Sequence, residues 1–214
     1  MAINGISKAT VQRLPGYLTY LKTLPASAGC HISATTIAAA LNMGEVQVRK
    51  DLAAVSGAGK PKIGYRAYAL INDLEAFLGY HDIDDAVVIG AGKLGQALLQ
   101  YEEFAEYGLN IIAGFDLTEA FTENFLAGKP VLPLSKFPDL CKLHVVRIGI
   151  ITVPADAAQH VCDLMVDNGI LAICNFAPVH LTVPEGILVQ NENIAATLAA
   201  LASQLKTHPQ NDNA

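Results

Sequence analysis

The sequence lacks the apolar segments that would carry it into or across a membrane. No apolar run approaches the roughly 18 residues that a membrane-spanning helix needs. The opening stretch, MAINGISKATVQRLPGYL, has neither the apolar core nor the small-residue cleavage site of a signal peptide. With 52% hydrophobic and 16% charged residues over 214 positions, the composition predicts a soluble, cytoplasmic globular protein with a well-buried core.

Cysteine is scarce, and its spacing excludes the common metal and disulfide frameworks. The four cysteines are Cys30, Cys141, Cys162 and Cys174, with no C-x-x-C pair, and the six histidines are dispersed. Structural zinc sites need closely spaced Cys and His ligands. The sequence therefore predicts small reduced thiols and no metal centre.

Charge is distributed unevenly along the chain. Residues 1–66 hold eight basic and two acidic side chains, a formal charge of +6. Residues 67–214 hold six basic and eighteen acidic side chains, a formal charge of −12, so the net value of −6 conceals a basic N-terminal part. A locally basic region can bind a polyanion while the acidic remainder stays soluble.

Three helices are predicted in this basic part. Residues 7–24 carry apolar side chains at helical spacing, and Ser33 is a good N-cap for a short second helix. Asn42–Gly44 forms a tight break before a third helix, Glu45–Val55. Two short helices joined by a Gly-containing turn match the helix-turn-helix pattern of DNA-binding proteins. The alternative is a small helical cap whose charges face water.

The third helix and the segment after it supply the candidate DNA contacts. Val48, Leu52 and Val55 recur at helical spacing and should face the core. The outward side then carries an amide and two cations suited to base edges and phosphates, namely Gln47, Arg49 and Lys50. The following SGAGKPKIGY holds three glycines around Lys60 and Lys62, which predicts a basic hairpin, or wing, able to contact phosphates.

The second part of the chain opens with a glycine-rich turn. AVVIG predicts a buried strand, and Gly90, Gly92 and Gly95 then form G-x-G-x-x-G at the start of a helical run. Such glycines permit a tight turn, the approach of a pyrophosphate and close helix–strand packing, while the helix N-terminus supplies N–H donors. Asp116 ends a second strand, 21 residues beyond Gly95. A carboxylate there accepts ribose hydroxyls and repels a 2′-phosphate, which favours NAD(H) over NADP(H).

Strands and helices alternate through the rest of this part. Predicted strands are VVRIGIITV, ILAICNFAPV and ILVQN, with the helix PADAAQHVCDLMVDNG between the first two. The alternation predicts a doubly wound parallel sheet with helices on both faces and a ligand at the carboxyl ends of its strands. The predicted nucleotide-binding residues at those ends are Gly90, Ala91, Gly92, Lys93, Leu94, Gly95, Asp116, Thr152, Val153, Pro154, Asn175, Phe176, Ala177 and Pro178.

The sequence offers no recognisable substrate site beside this nucleotide site. It has no Tyr-x-x-x-Lys pair and no His matched to a downstream carboxylate, and only about 24 residues follow the last strand. A dehydrogenase needs both a substrate-holding half and an acid/base, so we expect no catalytic residues and a nucleotide that acts as a signal. The closing run NIAATLAALASQLKTH predicts an apolar helix that docks on its own domain or, as we favour, on a second subunit.

Five blocks, in order and in both parts, resemble the bacterial redox-sensing transcriptional repressor family Rex. They are RLPGYLTYLK, VQVRKDL, GAGKLGQALLQY, ITVPADAAQ and NFAPVHLTVPEG. The resemblance implies a winged helix-turn-helix domain over 1–80, a Rossmann-like NAD(H)-binding domain over 81–191, and a C-terminal helix and tail over 192–214. It also implies a homodimer in which this last helix is swapped into the partner subunit.

The resemblance further implies that the nucleotide is a regulatory ligand. With NAD⁺, or without ligand, the protein would bind an inverted-repeat operator in double-stranded DNA, and NADH would displace it. Tyr101 would lie near the nicotinamide and report its redox state. Five side chains are assigned to DNA: Arg49 and Lys50 on the recognition helix, and Lys60, Lys62 and Tyr65 in the wing.

Two departures from the family pattern concern the wing and the switch. The wing sequence is plainer, with Pro61 where a basic residue is common. At the start of the last helix the family commonly has an Asp that changes partners between the cofactor-site Tyr and the Arg of the first helix. Here Asn193 stands at that place, beside Glu192, so a charged switch involving Arg13 and Tyr101 is weakened unless Glu192 substitutes.

Two other functions are compatible with the same residues. A small NAD-dependent oxidoreductase with a helical cap predicts substrate turnover and no preference for palindromic DNA. A Rossmann-type nucleotide-binding subunit, for coenzyme A as an example, predicts that the basic N-terminus contacts another protein. Asp116 argues mildly against the latter.

Overall fold

The structure, a computed structural model, describes residues 6–24, 31–61, 63–118 and 124–207. The chain divides into two compact units, Met1–Ile83 and Asp84–Ala214. The predicted wing residue Lys62 and the cysteine Cys30 lie outside the described residues. Among the helices of the described ranges, none is long and apolar enough to cross a membrane.

The N-terminal unit consists of four helices and a two-stranded antiparallel sheet. The helices are α1 (Lys8–Lys22), α2 (Ala34–Ala40), α3 (Glu45–Ser56) and α4 (Ala67–Leu78), and the strands are β1 (His31–Ile32) and β2 (Tyr65–Arg66). The predicted N-cap Ser33 is confirmed, because its side chain accepts a hydrogen bond from the Thr36 N–H at the start of α2. Strand β1 was not predicted from the sequence, because two residues are too few to show alternation.

Apolar side chains at helical spacing build the core of this unit. The fully buried ones come from all four helices: Leu14, Tyr17 and Leu21 of α1, Ile37 of α2, Val48 and Leu52 of α3, and Leu70 and Leu74 of α4. Between α3 and β2 the wing closes on an antiparallel bridge between Lys60 and Gly64. Gly64 has φ +85, and a Cβ there would lie 2.3 Å from the Ile32 carbonyl oxygen, so this turn requires glycine.

The C-terminal unit is built on a seven-stranded sheet. Its strands are β3 (Asp84–Ile89), β4 (Leu109–Asp116), β5 (Asn124–Leu126), β6 (Lys129–Pro133), β7 (Val146–Ile151), β8 (Ala172–Asn175) and β9 (Leu188–Asn191), in the spatial order β5-β6-β4-β3-β7-β8-β9. Every neighbouring pair is parallel except β5 and β6. The helices are α5 (Lys93–Gln100), α6 (Phe137–Leu143), α7 (Ala155–Asp167) and α8 (Ile194–Thr207).

The central strand β3 is buried on both faces of the sheet. Val87 and Ile89 belong to one core cluster with Val161 of α7, whereas Val88 belongs to a second cluster with Leu99 of α5. Because alternate side chains of a strand point to opposite faces, helices cover the sheet on both sides. The predicted doubly wound arrangement is therefore confirmed.

The β5–β6 hairpin was missed in the sequence analysis. Its strands are short, and β6 contains two prolines, which count against a strand in a sequence pattern. The two-residue turn Ala127–Gly128 has φ +49 and +77, values that suit the tight turns of hairpins. The predicted final helix is confirmed as α8, whose apolar side chains are each more than half exposed, namely Ile194, Leu198, Leu201 and Leu205.

Candidate nucleotide and nucleic-acid sites

A cleft of about 570 Å³ lies at the carboxyl ends of β3, β4 and β7. It is the topological switch point of the sheet, because β4 and β7 extend from opposite sides of β3. Six predicted nucleotide-binding residues line it: Gly90, Gly92, Asp116, Thr152, Val153 and Pro154. Its apolar walls include Ile89, Leu134 and Val161. Mostly apolar walls with a few polar groups are the usual composition of a ligand pocket.

The three glycines of the turn are required for different reasons. Gly90 has φ +108, and a Cβ there would lie 2.8 Å from the Thr152 carbonyl. A Cβ on Gly95 would lie 1.8 Å from the Gly90 carbonyl oxygen, so α5 can approach β3 this closely only with glycine. At Gly92 a Cβ would meet no atom within 4 Å. Packing therefore requires Gly90 and Gly95, whereas Gly92 leaves space for a ligand.

Hydrogen bonds hold the turn in this shape. Thr152 Oγ1 donates to the Gly90 carbonyl at 2.7 Å. The Asp116 carboxylate accepts from the Ala91 N–H at 2.6 Å and from the Thr118 N–H at 2.8 Å. The end of β4 is thereby tied to the turn that follows β3, and the carboxylate is fixed at the cleft before any ligand arrives.

The donors and acceptors of this cleft fit a dinucleotide with free ribose hydroxyls. The N-cap of α5 is Gly92, which has no side chain to accept from the first-turn N–H groups, and such groups bind phosphates. A carboxylate has about four acceptor positions, so Asp116 can still accept from ribose. Its neighbours Leu117 and Thr118 are uncharged and would not neutralise a 2′-phosphate.

Several predicted nucleotide-binding residues do not line the cleft. Lys93 and Leu94 begin α5, and Ala91 is buried, with its N–H bound to Asp116. Tyr101 is 46% exposed, and its hydroxyl donates to Glu103 at 2.5 Å. This hydrogen bond raises the pKa of Tyr101 above its ordinary value.

Asn175, at the end of β8, is fully buried and bonded within the protein. Its amide nitrogen faces the Ala177 and Val179 carbonyls and Asn191 Oδ1, and its oxygen accepts from the Ala177 N–H. These contacts shape the loop that contains Asn175–Pro178, and these four residues are not among those that line the cleft. The Asn175 amide therefore has a structural role in holding the loop after β8.

The start of α8 explains the presence of Asn193. Its side-chain oxygen accepts from the Ala196 N–H at 2.8 Å, so the residue caps the helix, a position in which Asn and Asp serve about equally well. Glu192 is exposed; its backbone N–H donates to the Asn175 carbonyl, and its carboxylate accepts from Gln190.

Four of the predicted DNA contacts line a shallow groove of about 600 Å³ between α3 and the wing. Arg49, Lys50, Lys60 and Tyr65 all contribute to it. Arg49 is paired with Glu45, one turn earlier on α3, and both side chains are well exposed. The buried Tyr65 hydroxyl makes no hydrogen bond within the described residues, and a Cβ on Gly59 would lie 2.8 Å from its ring. The wing therefore lies directly against the Tyr65 ring.

A buried acid on α3 was not recognised from the sequence. Asp51 is 4% exposed, and its carboxylate accepts from Arg13 Nε at 2.8 Å, Arg13 Nη2 at 3.0 Å, the Tyr17 hydroxyl at 2.8 Å and the Thr10 hydroxyl at 3.1 Å. The available signal was its position three residues after Val48, which puts both on one face of the helix.

The network around Asp51 shifts the pKa of each partner. Burial acts to raise the pKa of Asp51, but the hydrogen bonds from Arg13, Tyr17 and Thr10 outweigh it, so the pKa lies below the ordinary value. The hydrogen bond to Asp51 raises the pKa of Arg13, and burial together with Asp51 raises that of Tyr17 to about 12. At neutral pH the network is therefore a charged Asp–Arg pair with a neutral tyrosine.

Gln47 and the cysteines have simpler surroundings. With the Gln47 amide oriented so that its oxygen faces Arg13, that oxygen accepts from Arg13 Nη1 at 3.0 Å. Cys162 is buried, and Cys141 and Cys174 are partly buried, all as free thiols. Within the described ranges no group of three or more His, Cys, Asp or Glu residues is placed to hold a metal ion.

Comparisons with known proteins cover both units. A family model described as "Putative DNA-binding protein N-terminus" matches residues 5–53, and one described as "CoA binding domain" matches residues 81–179. The redox-sensing transcriptional repressor Rex of Porphyromonas gingivalis is 40% identical over 205 residues, 95% of this chain and 94% of that protein. The Rex repressor of Treponema denticola is 39% identical over 198 residues, 92% of this chain and 94% of that protein.

Solved structures agree with these relatives. The crystal structure of RSP in complex with β-NAD⁺ and operator DNA superposes with a TM-score of 0.88 at 31% identity, over 94% of this chain and 93% of that one. RSP is described as a Rex-family repressor. Its crystal structure in complex with β-NADH superposes with a TM-score of 0.85 at 30% identity, over 94% of this chain and 95% of that one. The identities and their coverage establish one conclusion: the chain belongs to the Rex family of redox-sensing transcriptional repressors.

Proposed function

We propose that this chain is a cytoplasmic, DNA-binding transcriptional repressor that senses the NADH/NAD⁺ ratio and catalyses no reaction. It binds inverted-repeat operators with NAD⁺ or without ligand, and NADH releases it. One observation carries the proposal: the same chain contains a nucleotide cleft and a basic helix-turn-helix unit. This chain also matches a named redox-sensing repressor over 95% of its length.

The N-terminal unit reads DNA through α3 and the wing. Arg49 and Lys50 stand on the exposed side of α3, and Lys60 extends the same groove into the wing. Guanidinium and ammonium groups in a major groove suit base edges and phosphates. We assign Gln47 to this surface because it lies on the outward side of α3, and Lys62 and Tyr65 on the family resemblance, with Tyr65 supporting the wing.

The C-terminal unit binds NAD(H) in the cleft at the end of β3. The turn from Gly90 to Gly95 and the start of α5 hold the pyrophosphate, and Asp116 accepts from the adenosine ribose. Thr152–Pro154 and Asn175–Pro178 form the strand-end loops toward the nicotinamide. Because Asp116 repels a 2′-phosphate and no basic side chain follows it directly, NADPH binds much more weakly than NADH.

Two subunits act together on one operator. The apolar side of α8 is exposed within its own chain, and burying four such side chains against a second subunit is strongly favourable. A twofold dimer presents two recognition helices at the spacing that an inverted repeat requires. The exposed α8 thus supports a homodimer with an exchanged C-terminal helix.

Redox sensing requires that the two nucleotides differ in affinity for the two states of the dimer. Reduction removes the positive charge of the nicotinamide, so a pocket can distinguish the two forms, and only this difference biases the dimer. A factor of 100 in affinity corresponds to roughly 2.7 kcal/mol per site. We assign the response to Tyr101, Arg13, Glu192 and Asn193. In the structure the Tyr101 hydroxyl donates to Glu103 and Arg13 donates to Asp51, and these are the partners from which a switch would have to draw them.

The test is fluorescence anisotropy of a labelled inverted-repeat duplex that the wild-type protein enriches from a random pool. At fixed salt we expect selective binding with NAD⁺, release by NADH and no release by an equal concentration of NADPH. Arg49→Ala should weaken operator binding and leave NADH affinity unchanged. Selective binding that ignores NADH would refute redox sensing alone, and absence of selective binding would refute the repressor.

The same assay separates the two other functions. Coenzyme A is included as a competitor because residues 81–179 match a family model of that description. Release by coenzyme A in place of NADH would reassign the ligand. Turnover of NADH with a carbonyl substrate, without DNA selectivity, would favour the oxidoreductase.

A further inference from the structure

We propose that Asp51 is a positioning residue for operator recognition, which locks the recognition helix α3 against α1 so that Arg49 and Lys50 meet DNA in one orientation. This inference rests on the proposed DNA-binding function of the N-terminal unit. It assigns Asp51 no contact with DNA, since its side chain is only 5% exposed.

The hydrogen-bond pattern of Asp51 supports a locking role. Within the described part of the chain, every side-chain donor to its carboxylate comes from α1, from three residues spaced along one side of that helix: Thr10, Arg13 and Tyr17. Four hydrogen bonds from two turns of a neighbouring helix fix a carboxylate in position and in rotation. The helix that carries Asp51 is fixed with it.

Asp51 lies on the same turn of α3 as the proposed DNA-contacting side chains, so fixing it fixes their orientation. Asp51 follows Lys50 and lies two residues after Arg49, but it faces the interior while they face solvent. A small roll of α3 about its axis would move both cations across the groove. Charge pairs that form such a fixed network can specify one arrangement among several of similar energy.

Arg13 extends the lock to a second residue of α3. With the Gln47 amide oriented so that its oxygen faces Arg13, that oxygen accepts from Nη1 at 3.0 Å and from Nη2 at 3.1 Å, one turn before Asp51. The guanidinium therefore spans two consecutive turns of the recognition helix. Its planar set of five donors suits this better than the single ammonium of lysine.

Simple electrostatic repulsion and the locking role predict opposite changes in operator affinity when Asp51 is neutralised, and this makes the inference testable. An acid in a DNA-binding unit repels phosphates, so neutralising it should strengthen binding to any DNA. A positioning residue predicts weaker binding to the operator, because misplaced cations lose their base contacts. The ratio of operator to random-DNA affinity separates these effects.

The experiment compares full-length wild type with Asp51→Asn, Tyr17→Phe and a control, Asp82→Asn. Asp82 is an exposed acid of the same unit that belongs to neither α1 nor α3, so its variant removes the same charge from a different place. Anisotropy with the enriched inverted-repeat duplex and with random duplex is measured at one salt concentration. NADH affinity and thermal unfolding report whether each variant is folded.

We expect Asp51→Asn to lose about tenfold or more in operator affinity, the scale of one or more lost base contacts, while random-DNA affinity is unchanged or raised. Tyr17→Phe, which removes one donor at nearly constant volume, should show a smaller loss of the same kind. Asp82→Asn should keep the operator ratio of the wild type. If Asp51→Asn fails to fold, Tyr17→Phe decides.

Two results would overturn the inference in different ways. Unchanged or increased operator selectivity in folded Asp51→Asn, or in Tyr17→Phe where the first variant does not fold, would refute the lock while leaving the repressor function intact. If the wild-type protein selects no DNA sequence, the repressor function and the lock fall together.

Discussion

The two units differ in how they bury polar side chains. Within the described residues, Asp51 is the buried polar side chain of the N-terminal unit, and Asn175 is that of the C-terminal unit. Asp51 is charged and joins residues 34 to 41 positions apart. Asn175 is neutral and joins residues 2 to 16 positions apart. The small helical unit thus depends on a long-range charged contact, whereas the sheet unit uses an amide to shape one loop.

This difference follows from what each fold provides. A parallel sheet fixes its strands by backbone hydrogen bonds along their whole length. Helices satisfy their backbone internally, so only side chains determine how they lie against each other. Apolar packing is non-directional, so it does not by itself fix the relative orientation of two short helices. A buried carboxylate with matched donors fixes that orientation, because its hydrogen bonds are directional.

The largest expected effect comes from removing these two side chains. We predict that Asp51→Ala destabilises the N-terminal unit by about 3 kcal/mol, at the lower end for a buried ion pair because Arg13 is 24% exposed and regains water. Asn175→Ala should cost about 2 kcal/mol, from unsatisfied neighbours in the loop after β8.

Hydrogen exchange followed by mass spectrometry locates each effect. Asp51→Ala should increase exchange in α1 and α3 and leave β3 to β8 protected. Asn175→Ala should increase exchange in the C-terminal unit and leave α1 and α3 protected. Equal loss of protection in both units from either variant would contradict the distinction.

The glycine turn offers a second contrast, now within the C-terminal unit. Gly95→Ala should destabilise that unit by about 1–3 kcal/mol and weaken NADH binding, because its Cβ would meet the Gly90 carbonyl oxygen. Gly92→Ala should weaken NADH binding with little loss of stability, since residue 92 has φ −67 and open space around it.

Urea unfolding and NADH titration of both glycine variants make the comparison. A Gly92→Ala protein that binds NADH as tightly as wild type would show that the turn does not hold the pyrophosphate.

Alkaline pH should reveal the network around Asp51. The pKa of Tyr17 is raised to about 12 from an ordinary value of 10.0. A raised pKa in the folded state means that this contribution to stability is complete below pH 10 and is lost as pH rises toward 12. The stability difference between wild type and Tyr17→Phe in urea should therefore shrink above pH 10. A difference that stays constant to pH 11.5 would mean that burial and Asp51 do not hold Tyr17 protonated.

The smallest expected effect concerns Glu45, the exposed partner of Arg49. Glu45→Gln should raise operator affinity a few-fold, because an exposed ion pair is worth at most about 1 kcal/mol and its loss frees the guanidinium. Anisotropy measures the change, with Asp82→Asn as the charge-matched control. A fall in affinity would indicate that Glu45 itself contacts a base.

Local patterns were sufficient to predict most of the elements and part of the site. Apolar spacing and the Ser33 cap predicted the first three N-terminal helices, apolar spacing predicted α8, and the Gly90, Gly92 and Asp116 pattern predicted residues that line the cleft. The β5–β6 hairpin was not predictable in this way, because its strands are short and its prolines resemble loop residues. Asn175 was predicted from its position at a strand end, but its buried amide faces its own loop.

The sequence by itself therefore determined most of the helices and strands, the glycine turn, the uneven charge and the family. Each of these depends on residues that are close together in the chain or on motifs in a fixed order. Only the tertiary structure decided which polar groups are buried together. Asp51 meets Thr10, Arg13 and Tyr17 across about 40 positions of chain. No local spacing encodes that contact, because it exists only once α1 and α3 have packed.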